Sequence, residues 1–306
     1  MANINDVAKK ANVSKTTVSR VLNNHAYVSK ELRSKVLKAI EELNYVPNQN
    51  AVTLSKGKTN LIGIVVSRMN HACYDEIVEG LVRKAQENGY YTLILYSNDE
   101  IAKEREFLDK LKTKEVDALV FISKGIEDDV LHHYASFGPI VHCQRHHIDN
   151  VSHVYPKRKE SYEEIRAFFQ RKGVLHPFIC VEKDYKTSQS VREKTRVFQT
   201  ECYEHLYSYE DGVRLAKEKI KGNSKKLGFF VDFNDVAVGI VDVATTLGYK
   251  LNHDLFIVSE SDTLFAEKYG FCRVNYNLKS VGKHVFDAIF SDEICVQAVE
   301  YDFKIS

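Results

Sequence analysis

The 306-residue sequence has no tryptophan, only four prolines and two methionines, and no CxxC pair among its six cysteines. Cys73, Cys143, Cys180, Cys202, Cys272 and Cys295 are scattered, several inside apolar runs such as Phe178, Ile179, Cys180, Val181. That spacing argues against a disulfide framework and for reduced, buried thiols. No apolar run approaches the roughly 18 residues needed to span a bilayer, and the start, MANINDVAKK, has no apolar h-region. The protein is therefore expected to be soluble and cytoplasmic, with no membrane partner. GxGxxG, HExxH and GxSxG are all missing, so no motif proposes catalysis or a cofactor, and no enzyme is expected. Gly57-Lys58-Thr59 imitates the end of a phosphate loop, but such a loop needs glycine at position 52, where Val52 stands.

Charge of either sign is nearly balanced at +1, yet the sum conceals an asymmetry. Residues 1 to 60 carry ten Lys/Arg against four Asp/Glu, a net +6, which leaves −5 for the remainder. A basic head on a mildly acidic body suggests that the head meets a polyanion.

The head reads as three short helices. Val7, Ala8 and Ala11 face inward in the first. In VSKTTVSRVLNN, residues 13 to 24, Val18, Val21 and Leu22 fall at i, i+3 and i+4 behind an N-cap at Ser14. Ser29 caps a third helix with Leu32, Val36, Ile40 and Leu43 inward. A helix pair joined by the short Asn12-Val13 turn allows the second helix to enter a major groove. Lys15 or Arg20 could then donate to guanine and Thr16 meet a base edge, while Ser14, Tyr27 and Ser29 bond phosphates. Pattern alone leaves a solvated helix face, or a membrane or partner helix, equally open. The following QNAVTLSKGKT is too short to hold a helix in water without DNA or a partner chain.

Beyond it, apolar bursts alternate with amphipathic stretches. The bursts are LIGIVV (61 to 66), TLILYS (92 to 97), DALVFIS (117 to 123), PIVHCQ (139 to 144), HPFICV (176 to 181), KLGFFV (226 to 231) and LFIVSE (255 to 260). YDEIVEGLVRKAQENG and DVAVGIVDVATTLG have helical periodicity and end on glycine. Continuous apolar strands separated by helices predict parallel sheets covered on both faces, with ligands beyond the carboxyl ends of the strands. His142, Cys143, His146 and His147 are ligand-type residues at loose spacing, and no metal is expected there. Tyr203, Tyr207 and Tyr209 read as one face of a strand or packed loop.

From NINDVAKKANVSKTTVSRVLNN through YVSKELRSKVLKAIEELNYVPN, about 48 residues without a gap, the chain resembles the lactose-repressor (LacI/GalR) family of bacterial transcription regulators. The resemblance implies an N-terminal all-α helix-turn-helix head and hinge helix, followed by an α/β periplasmic-binding-protein-like core of two parallel-sheet subdomains. It implies that Lys15, Thr16 and Arg20 read bases, that Ser14, Ser19, Asn23, Tyr27, Ser29 and Tyr45 meet the DNA backbone, and that Ala51 and Leu54 of the hinge enter the minor groove. Val52 departs from the family there. The expected layout is a DNA-binding domain over 1–46, a hinge and linker over 47–60, and an effector-binding and dimerisation domain over 61–306. Within the last, one subdomain takes about 61–156 plus 278–290, the other about 157–277 plus the tail.

Further landmarks are Asn234-Asp235 opening a helix and VNYNLKSVGKHVFDAIF near the end. The resemblance implies effector contacts at Tyr74, Lys194 and Asp235. It also marks departures: Lys194 replaces an arginine, Val197 a glycine, and Gln144 an acid. An ammonium is no equivalent of a bidentate guanidinium. NHACYDEIVEG through LDKLKTKEVDALVFISK is similar to the catabolite-control branch, some members of which answer to a phosphorylated carrier protein. The expected partners are a pseudo-palindromic double-stranded DNA operator, a second copy of the chain, and a sugar, sugar phosphate or phosphorylated carrier protein as effector. The expected role is a repressor of carbohydrate or catabolite genes. The rival reading is a small-molecule binding protein or sugar-related enzyme whose basic head is a protein-interaction module.

Overall fold

The computed structural model describes residues 2–23, 27–46, 57–69, 72–186, 188–220 and 226–306. Ala51, Val52 and Leu54, on which the hinge expectation rests, lie outside the described residues. The chain divides into two compact units, residues 1–59 and 60–306.

In the first unit, α1 (Ile4–Ala11), α2 (Lys15–Leu22) and α3 (Lys30–Glu42) each begin at a side-chain cap. Asn3 and Asp6 form a capping box on α1, Ser14 accepts from the Thr17 amide at 3.1 Å, and Ser29 from the Leu32 amide at 3.3 Å. Each such cap contributes about 1 kcal/mol by satisfying an amide that the helix leaves free. Asn12 ends α1 in the left-handed region, φ 52°, which asparagine tolerates and which turns the chain at once into α2. Val7, Ala8, Ala11, Val18, Val21, Val36 and Ala39 form the core. Leu32, expected inward, is exposed; Ala39 fills the inward position on α3 instead.

The second unit holds two six-stranded sheets. The first has the order β11-β5-β4-β3-β1-β2, built from β1 (Leu61–Val66), β2 (Tyr91–Tyr96), β3 (Ala118–Phe121), β4 (Ile140–His142), β5 (Ser152–Pro156) and β11 (Val296–Val299), all parallel. The second has the order β12-β10-β9-β8-β6-β7, built from β6 (Phe178–Cys180), β7 (Cys202–Tyr203), β8 (Leu227–Val231), β9 (Leu255–Ser259), β10 (Cys272–Asn275) and β12 (Asp302–Lys304). Only β12 runs antiparallel to its neighbour. All seven apolar bursts are strands. The tail, expected wholly with the second subdomain, divides: β11 pairs with β5 and β12 with β10. Of the three tyrosines expected on one face, Tyr203 is in β7, Tyr207 in the loop, and Tyr209 opens a helix.

Among the described residues, nine helices follow the strands or join the sheets: α4 (Ala72–Glu87), α5 (Ile101–Lys112), α6 (Asp128–Tyr134), α7 (Arg158–Arg171), α8 (Gln189–Phe198), α9 (Tyr209–Lys219), α10 (Asn234–Thr246), α11 (Leu264–Lys268) and α12 (Leu278–Ile289). No described helix is long and apolar enough to cross a membrane. Both faces of each sheet are covered. Ile62, Ile64 and Val120 turn toward α4 and α12, while Val65, Leu119 and Phe121 turn toward Leu108 and Leu111 of α5. The α4–α12 crossing is so close that a Cβ on Gly282 would lie 2.1 Å from the Ile77 carbonyl oxygen, and one on Gly80 equally near that of Lys279. The α9–α10 crossing repeats the device with Gly212 and Gly239.

Candidate functional site

On the head, Lys15, Thr16 and Arg20 are exposed on α2 while Val18 and Val21 hold the helix to the core. Ser14 is also exposed, and its hydroxyl lies 2.9 Å from that of Thr17. Ser19 and Asn23 form one unit, the Asn23 amide donating to the Ser19 carbonyl at 2.9 Å. Tyr27 is 90% exposed and Ser29 exposed, whereas Tyr45 packs against the head core. The hydroxyl-rich, basic face is therefore the free face of α2.

In the second unit a cavity of about 810 Å³ opens at the carboxyl ends of the strands and takes residues from both sheets, where ligands of doubly wound sheets bind. Arg68 follows β1, Gln144 follows β4, Glu182 follows β6, Asp232 follows β8 and Glu260 follows β9. Arg68 Nη1 donates to Glu182 Oε1 at 2.6 Å, joining the first subdomain to the second. Glu104, buried on α5, accepts from the amides of Gly125 and Ile126 at 2.9–3.1 Å and so sets the loop carrying Lys124 on the cavity wall.

The second subdomain's wall is held by a buried charge network. Lys194 of α8 donates to both Asp232 and Glu260, with its ammonium 4.8 Å from the Phe230 ring centre. Glu260 also accepts from Arg158 at 2.5 Å and from Tyr162 at 3.0 Å. Arg158 in turn stacks on Tyr276, 4.5 Å from the ring centre. Burial lifts the Asp232 carboxyl to about 6 against the pull of Lys194. Glu260 is held well below the ordinary range, Lys194 and Arg158 outweighing its burial.

Tyr74 lines the cavity, its hydroxyl 3.4 Å from Lys183 Nζ. Two expected effector contacts do not. Lys194 is only 1% exposed and lies behind Asp232 and Glu260, because its two carboxylate partners stand between it and the space. Asp235 is exposed in the first turn of α10 and is not among the residues lining the cavity, whereas Asp232, three residues earlier and just after β8, lines it. Val197 is a core residue, and Gln144 lines the cavity. Arg68, Arg158, Glu182 and Glu260 were not legible as site residues; the only signal was their position just after a strand or opening a helix.

His142 is buried, with no partner for either ring nitrogen. Its ring stands 5.6 Å from that of His153 and 6.5 Å from that of His146. His153 Nε2 accepts the Ile148 amide at 3.3 Å, which puts the proton on Nδ1, facing the Gln144 carbonyl. His146 engages Asp128 at 2.5 Å. No cluster of three or more such ligands among the described residues could hold a metal ion.

A small helical head with a basic, hydroxyl-rich second helix, and a two-sheet unit with a charged cavity at its strand ends, define a DNA-binding regulator carrying a ligand-binding core. A family profile described as bacterial regulatory proteins, lacI family, matches residues 3–48, and one described as periplasmic binding proteins and sugar binding domain of LacI family matches residues 59–204. The chain is 31% identical over 313 residues to catabolite control protein B of Bacillus subtilis (strain 168), covering 99% of each. It is 29% identical to the sucrose operon repressor of Streptococcus mutans serotype c, covering 88% of this chain and 85% of that protein. It shares its fold with the lac repressor dimer crystallised with operator and the anti-inducer ONPF, at TM-score 0.80 and 19% identity, over 99% of this chain and 97% of that one. The chain belongs to the LacI family of bacterial regulatory proteins.

Proposed function

We propose that the protein is a dimeric repressor of carbohydrate or catabolite genes, whose grip on a pseudo-palindromic operator is set by a small effector in the cleft. The observation that carries this reading is the free face of α2, where Lys15, Thr16 and Arg20 stand exposed together. These three read bases, and Ser14, Ser19, Asn23, Tyr27, Ser29 and Tyr45 meet phosphates. The hinge, with Ala51 and Leu54, enters the minor groove between the head over 1–46 and the core over 61–306. The printed names of the relatives, a catabolite control protein and a sucrose operon repressor, support the class of regulated genes. No catalytic step is required.

Two heads are needed because each reads one half-site, and a two-fold dimer matches two-fold DNA. Support for a second copy comes from β2, an edge strand exposing Tyr91, Leu93, Ile94 and Tyr96. An apolar edge left open invites pairing. The cavity volume suits a sugar-sized molecule, which favours a small effector over a carrier protein. Effector binding changes cleft geometry, and with it how readily two hinges pair.

The test is a gel shift against the chain's own upstream DNA at several salt concentrations, with random duplex as competitor. The expected result is a sequence-specific complex that survives competitor. Equal binding to both duplexes overturns the reading in favour of a head that serves protein interaction.

A further inference from the structure

The chemistry of the effector can be narrowed from the donor and acceptor inventory of the cleft, on the reading that this cleft is the effector site. Hydroxyl groups are commonly recognised by carboxylates that accept their hydrogens, and here the three carboxylates at the strand ends, Glu182, Asp232 and Glu260, are already occupied. Glu260 serves Lys194, Arg158 and Tyr162. Asp232 serves Lys194 and the Glu182 amide, and Glu182 serves Arg68. Gln144 is uncharged. Asp99, 3.8 Å from Arg68, Asp184 and Glu193 also line the space, and burial lifts the Glu193 carboxyl above the ordinary range.

Cations are in the opposite position. Lys183 and Lys186, on the loop from β6 to α8, make no ion pair among the described residues; Lys183 reaches only the neutral Tyr74 phenol. Arg192 donates to two carbonyls of that loop, Tyr185 and Lys186, so its charge is likewise not neutralised by a carboxylate. On the first subdomain's side His142, 1% exposed, has both ring nitrogens unpartnered and lines the same cavity. A buried polar group without a partner is rare and costly, which marks it as a place for a ligand atom.

We infer that the effector is an anion: a small, hydroxyl-bearing molecule carrying a phosphate or carboxylate, its charge set against Lys183 and Lys186 and a polar atom against His142. Charge-assisted bonds to flexible ammonium groups suit either anion.

Titration calorimetry on the full chain at constant ionic strength compares glucose, gluconate and glucose 6-phosphate. Binding of gluconate or glucose 6-phosphate in preference to glucose is expected, and whichever binds tighter assigns the carboxylate or the phosphate. The double variant K183Q/K186Q should weaken the anion by about tenfold or more. Its unliganded melting temperature should be unchanged, because both side chains lie on a surface loop without ion pairs. Glucose binding as tightly as the anions overturns the inference but leaves the cleft as the effector site, as does an unaltered anion affinity in the double variant. No heat with any of the three overturns both the inference and the effector reading of the cleft.

Discussion

Arg68 of the first subdomain and Glu182 of the second meet at 2.6 Å across the cleft, so the cleft is bridged by the protein's own charges. Glu182 is mostly buried and Arg68 more than a third exposed, which screens the pair. Arg68→Ala is expected to lower core stability by only about 1 kcal/mol or less, but to loosen closure. Small-angle scattering of the unliganded chain should show a larger radius of gyration in the variant. Identical scattering would mean that the pair does not restrain the cleft.

Lys194 is a different case, because its ammonium is buried between two carboxylates. Lys194→Met leaves Asp232 and Glu260 facing each other with only Arg158 to balance them. Breaking a buried pair from one side costs about 3–5 kcal/mol, and denaturant unfolding should register a loss of that order. Lys194→Arg keeps the charge and should lose less. A methionine variant as stable as the native chain would show the network to be dispensable.

The parallel core was legible because strands buried on both faces read as unbroken apolar runs, as in LIGIVV and KLGFFV. What escaped was short or mixed: β5 contains His153 and Pro156, β10 alternates Arg273 and Asn275 with buried residues, and β12 has three residues. Head capping was legible, since Ser14 and Ser29 act locally. The cleft was not, because Lys194, Asp232 and Glu260 are far apart in sequence and only the order of strands unites them. Asp235 illustrates the limit: it opens α10 outside the cavity lining, whereas Asp232, three residues earlier, lines it.

His142 makes stability depend on pH. Burial, its largest perturbation, holds the ring neutral well below the ordinary histidine range, and His153, Lys124 and His146 act the same way against Asp128. Burial also lowers His153. The unfolded chain binds protons below about pH 6.5 that the folded chain refuses, so the stability is complete above that value and lost as pH falls. His142 alone should remove up to about 1.4 kcal/mol between pH 7.5 and 5.5, and His153 adds to the loss in the same direction. His142→Leu, which also removes two unpartnered nitrogens, should flatten this slope in paired denaturation curves. An unchanged slope would assign the acid sensitivity to other groups.

Arg20 tests the DNA reading most directly, because it is exposed at the end of α2 and caps nothing. If its guanidinium reads a base edge, Arg20→Ala should weaken operator binding by about 1–3 kcal/mol while random DNA is much less affected. If it contacts phosphate, both duplexes lose alike and the salt dependence falls by about one counterion. Ser14→Ala is the control: it removes the cap on the Thr17 amide and about 1 kcal/mol of helix stability, so it should affect both duplexes together. Fluorescence anisotropy with both duplexes at three salt concentrations separates these outcomes, and equal losses for Arg20→Ala on operator and random DNA would remove Arg20 from the base-reading set.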